Sequence, residues 1–275
     1  GKDQSYFLCQ LSQEQLRYAL FPVGEMLKTE VRRIAQEQQL ATARRKDSQG
    51  ICFVGKVDLP LFLQQRLAAR TGNVHEIKAA WPRYARTAPE PEAGAPPATA
   101  PETASAPAQA AAPPQPGDQP STEHLAALAA PWRYTVRDGK KIGTHSGAHF
   151  YTVGQRKGLG IGGRRESLFV LATDVQENVI YVGEGDAHPG LWRPALRIDP
   201  SEVHWIDPAE AMREGESRRY AVRIRYRQPL QQATLYRRRE GLFILFDTPQ
   251  RGIAAGQFAA WYDGDALAGS GTIAE

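Results

Sequence analysis

The stretch Phe169-Val-Leu-Ala-Thr-Asp-Val-Gln-Glu-Asn-Val-Ile-Tyr-Val-Gly183 decides the fold class. Two short apolar runs, residues 169–174 and 179–183, flank a turn at Glu177-Asn178, which predicts two strands joined by a hairpin. The same pattern recurs toward the C-terminus, with Asp138-Gly139 and Asp263-Gly264 as further hairpin turns. Short strands at this spacing predict a small barrel or sandwich. The later strands are expected at residues 220–227, 233–237, 242–247 and 258–262.

The N-terminal part of the chain has a helical pattern instead. Helices are expected at residues 12–20, where Ser12 and Gln15 have the spacing of a capping box, at 29–40, and from Asp58 onward. Residues 72–77 and 134–143 are strand-like. With 275 residues, the chain is long enough for one large or two ordinary domains.

Residues 87–120 interrupt this pattern with an abrupt change of composition. Of these 34 residues, 11 are Ala and 10 are Pro, and none is Lys, Arg, aromatic, Val, Ile, Leu or Met. Such a segment cannot bury enough apolar surface to offset the entropy of ordering. We predict a disordered insertion that occupies about residues 87–131. A proline-rich ligand for a partner is the alternative, although no basic residue flanks a PxxP core.

Composition excludes several classes of protein. No apolar run approaches the length of a membrane span, so no membrane partner is expected. The two cysteines, Cys9 and Cys52, are too few for a disulfide scaffold or a cysteine-rich zinc site, which indicates a reducing, cytoplasmic compartment. His145 and His149 are separated by Gly147 and have no obvious third ligand, so no bound metal is predicted. The net charge of +4 (34 − 30) is mild, so its distribution matters more.

Cys52 lies in Lys46-Asp-Ser-Gln-Gly-Ile-Cys-Phe-Val-Gly-Lys56, after the basic pair Arg44-Arg45. Nearby cations lower the pKa of a thiol, so a presented, reactive sulfur is one interpretation. A small buried hydrophobe in a short strand is the other, and the residues alone favour it. The same reasoning predicts that Cys9 packs in a core. The glycine spacing nearly matches a phosphate-binding loop, but Val57 offers no hydroxyl for magnesium, so we reject a nucleotide site.

A glycine-rich stretch, residues 151–163, is a candidate RNA-binding element. It offers Arg156 and Lys157, together with backbone N–H groups, to a phosphate backbone. A glycine-rich turn region without a ligand is an equally weighted alternative.

An arginine-rich stretch is the second candidate, with eight arginines and no acid between Glu216 and Glu240. A strand here would place one row of arginines opposite an apolar face. A row of guanidiniums suits an RNA backbone, whereas a merely solvated strand face usually mixes charge signs. The apolar face would hold Val222, Ile224 and Tyr226, and the basic face Arg223, Arg225 and Arg227.

Four long motifs occur in order along the chain: Lys2-Asp-Gln-Ser-Tyr-Phe-Leu8, Phe21-Pro-Val-Gly-Glu25, Lys46-Asp-Ser-Gln-Gly-Ile-Cys-Phe53 and Gly154-Gln-Arg-Lys-Gly-Leu-Gly-Ile-Gly-Gly163. Arg225-Tyr-Arg-Gln228 and Gly256-Gln257 follow them. In this combination the chain resembles the bacterial tRNA-specific 2-thiouridylases. The resemblance covers essentially the whole chain except the Ala/Pro insertion.

The resemblance implies an activity. In that family an N-terminal adenine-nucleotide α-hydrolase (PP-loop) domain binds ATP, with Mg, and adenylates the wobble uridine of tRNAs for Lys, Glu and Gln. A cysteine persulfide then delivers sulfur to C2 and AMP leaves; a cysteine desulfurase or a sulfur-relay protein is the expected sulfur donor. Cys52 corresponds to the persulfide carrier. A second cysteine, which can form a disulfide with it, belongs to a segment that this sequence lacks, and Cys9 does not stand in for it. We therefore expect this chain alone to be inactive.

The resemblance also implies an α+β fold in three domains. Residues 1–57 would be the helical end of a truncated α/β PP-loop domain, residues 58–190 a small β-rich central domain, and residues 191–275 a C-terminal antiparallel β-barrel that binds tRNA. A non-catalytic RNA-binding β module with structural cysteines is the alternative. By resemblance the tRNA-binding residues are Lys2, Asp3, Gln4, Arg225, Tyr226 and Gln257, with Arg156, Lys157, Arg223 and Arg227 as further RNA-backbone contacts.

Overall fold

The computed structural model describes residues 4–45, 69–85 and 119–275. Lys2, Asp3, Cys52 and residues 86–118 of the insertion lie outside the described residues. Within them the chain forms a four-stranded mixed sheet followed by a closed six-stranded barrel. The α+β class is confirmed, and the C-terminal strands form a barrel rather than a sandwich.

Helices are short throughout the described residues. The Ser12 side chain accepts a hydrogen bond from the Gln15 N–H and the Gln15 side chain accepts one from the Ser12 N–H, so the predicted capping box is confirmed. No helix in the described ranges is long and apolar enough to cross a membrane. The helices are α1 (Gln13–Leu16), α2 (Lys28–Glu37), α3 (Pro82–Ala85) and α4 (Thr122–Ala129), with 3-10 turns at Ser5–Leu8, Ala148–Phe150, Pro189–Leu191 and Pro208–Glu210.

Helix α4 (Thr122–Ala129) corrects the predicted end of the insertion at about residue 131. Ser121 caps α4 by accepting a hydrogen bond from the His124 N–H, and Leu125 is fully buried against the outside of the barrel. Arg193 fixes the end of α4 by donating to the Ala129 carbonyl at 2.8 Å. A helix forms here because Leu125 and Ala129, one turn apart, supply the apolar side that residues 87–120 lack.

The central sheet has the order β2-β1-β4-β3, in which β1 and β4 run parallel and the other neighbours antiparallel. The hairpin predicted from residues 169–183 is confirmed as β3–β4. Asn178 in its turn has a φ of 55°, a left-handed conformation that asparagine tolerates. The strands are β1 (Gly72–Glu76), β2 (Lys140–His145), β3 (Leu168–Asp174) and β4 (Val179–Glu184).

Both faces of this sheet are covered. On one face Trp81 packs against Tyr84 and Tyr134, with ring centroids 5.0 Å apart in each pair. The Tyr84 ring also lies 4.8 Å from the ring of Trp132. The other face is covered by the glycine-rich loop, whose Leu159 is buried in the core of that face.

The barrel closes in the order β10-β5-β8-β7-β6-β9, and every neighbouring pair is antiparallel. Trp261 is fully buried in its core and packs against Trp205, with ring centroids 5.2 Å apart. The strands are β5 (Trp192–Trp205), β6 (Ser217–Arg223), β7 (Gln231–Arg238), β8 (Gly241–Arg251), β9 (Phe258–Asp263) and β10 (Ala266–Ile273).

The prediction of three arginines on one strand face is wrong. Strand β6 ends at Arg223, where its pairing with β9 stops. The chain then turns, because the Ile224 N–H donates to the Gln228 side chain at 3.0 Å and the Gln228 N–H donates to the Arg225 carbonyl at 3.1 Å. The two-residue alternation of a strand therefore does not extend to Arg225 and Arg227.

Residues 4–13 lie along the outside of the barrel and are called here the N-terminal strap. The Tyr6 hydroxyl donates to the Phe258 carbonyl at 2.8 Å, and the buried Ser270 hydroxyl donates to the Cys9 carbonyl at 2.6 Å. Cys9 is only 2% exposed and packs against Ala260 and Tyr262. The prediction that Cys9 packs in a core is confirmed.

We expect Ser270→Ala to destabilise the protein by about 2 kcal/mol, because it leaves the buried Cys9 carbonyl without its donor. The measurement is urea unfolding of the full chain. Ser201→Ala, at an exposed position of β5, is the control and should change the free energy of unfolding by less than about 0.5 kcal/mol. Equal stability of the two variants would show that the strap does not depend on this hydrogen bond.

Candidate nucleic-acid interface

Three segments meet where the central sheet abuts the barrel, and they are called here the junction. They are the glycine-rich loop (residues 151–165), the turn after β6 (residues 224–228) and the end of β8 with the loop that follows it (residues 251–257). Arg225 connects all three, because its Nη2 donates to the Gly252 carbonyl at 2.8 Å and to the Val153 carbonyl at 3.3 Å. The Gly252 N–H also donates to the Leu191 carbonyl at 2.7 Å.

Two glycines make room for the Arg225 side chain. Gly154 and Gly252 have φ values of +83° and +64°, which non-glycine residues rarely adopt. A Cβ on Gly252 would lie 2.8 Å from Arg225 Nη2 and 3.6 Å from Gly154 Cα. The guanidinium is thus held where two backbone segments approach closely, and its position is set by the fold.

The glycine-rich loop is anchored at its base and along one side. The Gly154 N–H donates to the Val170 carbonyl at 2.7 Å, and the Val170 N–H donates to the Gln155 carbonyl at 2.9 Å, so the loop pairs with the edge of β3. Leu159 is buried on the sheet. The loop is therefore packed against the sheet. It leaves Arg156 and Lys157 exposed to solvent, a few residues after Val153, whose carbonyl accepts from Arg225.

The structure places the other residues that the sequence implied in tRNA binding in different settings. The Tyr226 ring lies 4.5 Å from the Phe7 ring of the strap, close to Gln4, whose carbonyl accepts from the Phe7 N–H at 3.0 Å. The Tyr226 hydroxyl and Gln257 Oε1 are shielded from solvent and have no hydrogen-bond partner among the described residues. The junction thus brings together the strap, Arg225, Tyr226 and Gln257.

Arg223 and Arg227 differ in setting. Arg223 is only 9% exposed, and its guanidinium lies over the Tyr262 ring, 4.9 Å from the centroid. It packs beneath the strap rather than facing solvent. Arg227 is exposed on the turn. Of the two, only Arg227 is presented to a large ligand.

The electrostatics of the junction are dominated by cations. Burial lowers the pKa of Arg225, and the charge of the neighbouring Arg251 lowers it further. Burial raises the pKa of Tyr6 to about 12, with Cys9 and Tyr262 acting in the same direction, so the Tyr6 hydroxyl remains a donor at neutral pH. In the described part of the chain, no carboxylate forms an ion pair with Arg225 or Arg251.

Sequence reasoning missed Arg251. It is the last residue of β8, and its guanidinium lies 4.3 Å from the centroid of the Phe169 ring in the central sheet. A single arginine before a glycine belongs to no periodic pattern that could identify it as a site residue. Only the arrangement of barrel and sheet brings it beside Arg225.

The described residues offer no further catalytic or cofactor site. Burial raises the pKa of the Cys9 thiol, which disfavours the reactive thiolate. Within residues 4–45, 69–85 and 119–275, no group of three or more His, Cys, Asp or Glu side chains is placed to hold a metal. The glycine-rich loop leads into β3 rather than a helix, so it does not fit the phosphate cradle of ATP.

Family models match three parts of the chain. Residues 1–56 match a model described as a tRNA methyl transferase HUP domain, and residues 133–184 a tRNA methyl transferase PRC-barrel domain. Residues 196–273 match an aminomethyltransferase beta-barrel domain. The last two ranges contain most of the described sheet and barrel.

Curated relatives match nearly the whole chain. Proteins named tRNA-specific 2-thiouridylase MnmA from Christiangramia forsetii and Flavobacterium johnsoniae are each 47% identical over 273 residues, which is 99% of this chain and 62% of the relative. The protein of that name from Pseudomonas aeruginosa is 38% identical over 277 residues, or 99% of this chain and 56% of the relative. The chain thus spans about three fifths of the length of these relatives.

We expect Gly252→Ala to cost more stability than Gly256→Ala, by about 1–2 kcal/mol in urea unfolding. Both glycines have a positive φ, +64° and +79°, so both alanines are strained. At Gly252 the new Cβ displaces the Arg225 guanidinium, which then loses its hydrogen bonds to the Gly252 and Val153 carbonyls, whereas nothing lies within 4 Å at Gly256. Equal losses would mean that Arg225 does not hold the junction together.

Proposed function

Because this chain is a homologue of the tRNA-specific 2-thiouridylases along the stretch that it shares with them, we propose that it is the sulfur-carrying and tRNA-binding part of an ATP-dependent tRNA-uridine 2-sulfurtransferase. The full-length protein would place sulfur on C2 of the wobble uridine in tRNAs for Lys, Glu and Gln. The barrel and central sheet would hold the tRNA, and Cys52 would carry the sulfur.

The observation that carries this proposal is the junction. Four of its cations, Arg156, Lys157, Arg225 and Arg227, form no ion pair with a carboxylate of the described residues, whereas Arg164 of the glycine-rich loop pairs with Glu76 and Glu184. Two aromatic rings, Phe7 and Tyr226, lie beside Arg225. Cations next to stacking surfaces suit RNA, whose backbone is anionic and whose unpaired bases stack on aromatic side chains. The proposed contacts among the described residues are Gln4, Arg156, Lys157, Arg225, Tyr226, Arg227 and Gln257; Lys2 and Asp3 are proposed from the sequence alone.

Arg223 is proposed to act differently. Its guanidinium is buried over Tyr262, which itself packs against the strap. We therefore assign Arg223 to holding the strap against the barrel, and it would affect tRNA binding only through the position of Gln4 and Phe7.

The proposed sulfur carrier is Cys52, supported by its place in the motif from Lys46 to Phe53. Cys9 is the other cysteine, and its burial and raised pKa make it unsuited to accept sulfur from a donor protein. A cysteine desulfurase or a sulfur-relay protein would load Cys52. ATP would supply activation of the uridine, and no described residue is assigned to binding it.

Two alternatives remain to be separated by experiment. A non-catalytic RNA-binding β module with structural cysteines is favoured by one observation, the burial of Cys9. The descriptions of two matched domains name tRNA methyl transfer, whereas the relatives are named for thiolation. Both sets of names concern tRNA, and they differ in the group transferred.

We expect a persulfide to form on Cys52 and not on Cys9 when the full chain is incubated with a cysteine desulfurase and cysteine. Burial and a raised pKa protect the Cys9 thiol, which makes Cys9 the internal control. The measurement is peptide mass spectrometry under non-reducing conditions. Two unmodified thiols would favour the non-catalytic binding module.

The matched experiment in the full-length protein is Cys52→Ser. It should abolish thiolation of tRNA and leave tRNA affinity unchanged, because sulfur transfer needs the thiolate and tRNA binding does not. Retained thiolation would remove Cys52 from the role of carrier. Lost affinity would make it a binding or structural residue instead.

A further inference from the structure

Arg251 is a cation of the junction for which the described residues provide no ion-pair partner. Its side-chain Nε and Nη2 are shielded from solvent and have no hydrogen-bond partner among the described residues. The guanidinium is held by its contact with the Phe169 ring, 4.3 Å from the centroid. Buried guanidinium N–H groups are normally paired, so an unpaired one marks a place where an acceptor is missing.

Arg225 brings a second guanidinium to the same place. Its Nη2 is 2.8 Å from the carbonyl oxygen of Gly252, the residue that follows Arg251. The charge of Arg251 lowers the pKa of Arg225, so the two cations repel each other unless an anion lies between or beside them. The described residues provide backbone carbonyls to Arg225 but no carboxylate to either arginine.

Both arginines also reach the same point of the central sheet. Arg225 donates to the Val153 carbonyl, and the neighbouring Gly154 N–H donates to Val170. Val170 follows Phe169, on which Arg251 lies. An anion bound by the two guanidiniums would therefore touch the barrel and the central sheet at once.

We propose that Arg251 and Arg225 form a phosphate-binding subsite of the junction, and that its occupant is a backbone phosphate of RNA. Arginine suits this ligand because its planar fork matches two phosphate oxygens. Tyr226 lies on the same turn as Arg225 and contacts Phe7 of the strap, and this aromatic pair favours a polynucleotide over a free phosphate, since a base next to the phosphate has a ring to stack on. The assignment to RNA rests on the proposed function; the assignment to phosphate does not.

The test compares three variants of the full chain. Arg251→Gln removes the charge, Arg251→Lys keeps the charge but loses the fork, and Arg239→Gln removes an equal charge from the exposed turn between β7 and β8. That turn lies at the opposite end of the eleven-residue strand β8, roughly 30 Å from Arg251. The measurements are affinity for a tRNA transcript across a salt series, and thermal unfolding with and without inorganic phosphate at constant ionic strength.

We expect Arg251→Gln to weaken tRNA binding on the order of tenfold and to reduce the slope of log affinity against log salt by about 1. Arg251→Lys should weaken tRNA binding less than Arg251→Gln does and should keep the wild-type slope of log affinity against log salt. Arg239→Gln should bind tRNA like the wild type. Inorganic phosphate should raise the melting temperature of the wild type and of Arg239→Gln but not of Arg251→Gln.

Each of the other outcomes contradicts one part of the proposal. Equal losses of tRNA affinity in Arg251→Gln and Arg239→Gln would show that binding depends on the total charge of the protein and not on a subsite at Arg251. If Arg251→Gln does not fold, an unchanged tRNA affinity and phosphate response in Arg251→Lys overturns the subsite. If phosphate raises the melting temperature of the wild type but not of Arg251→Gln, and the two proteins bind tRNA with the same affinity, the occupant is free phosphate. If the wild type does not bind tRNA, the proposed function fails while the phosphate measurement still decides the subsite.

Discussion

Arg225 joins the two β units of this protein through the backbone oxygens of Gly252 and Val153. Gly154 and Gly252, both with positive φ, leave the space in which the Arg225 guanidinium makes this contact. It is one of several contacts between the central sheet and the barrel, together with the hydrogen bond from the Gly252 N–H to the Leu191 carbonyl and the packing of Arg251 on Phe169. Arg225 thus contributes directly to the geometry of the candidate interface.

The N-terminal strap adds the third side of that interface. Its hydrogen bonds to Phe258 and Ser270, and the burial of Cys9 against β9, hold Phe7 against Tyr226 on the turn that carries Arg225. The strap comes from the range that matches a HUP domain, and the turn comes from the matched barrel. A ligand at the junction would therefore contact residues of all three matched ranges, which suits a large, extended ligand such as RNA.

The sequence predicted local features better than the junction. The β3–β4 hairpin, the capping box at Ser12 and the packing of Cys9 depend on neighbouring residues and were confirmed. The prediction of an arginine face failed because the two-residue period of a strand was extended beyond Arg223, where the strand ends and the Gln228 side chain accepts a hydrogen bond from the Ile224 N–H. Arg251 and the parallel β1–β4 pair escaped prediction because both depend on contacts between distant parts of the chain.

The central claim is that tRNA binds at the junction, and hydrogen–deuterium exchange of the full chain with and without tRNA tests it most directly. Bound tRNA should slow exchange in residues 151–165, 224–228 and 251–257, because their backbone and side chains would be covered. The turn between β7 and β8, around Arg239, should exchange as before. Protection confined to that turn, or no change at the junction under saturating tRNA, would contradict the account.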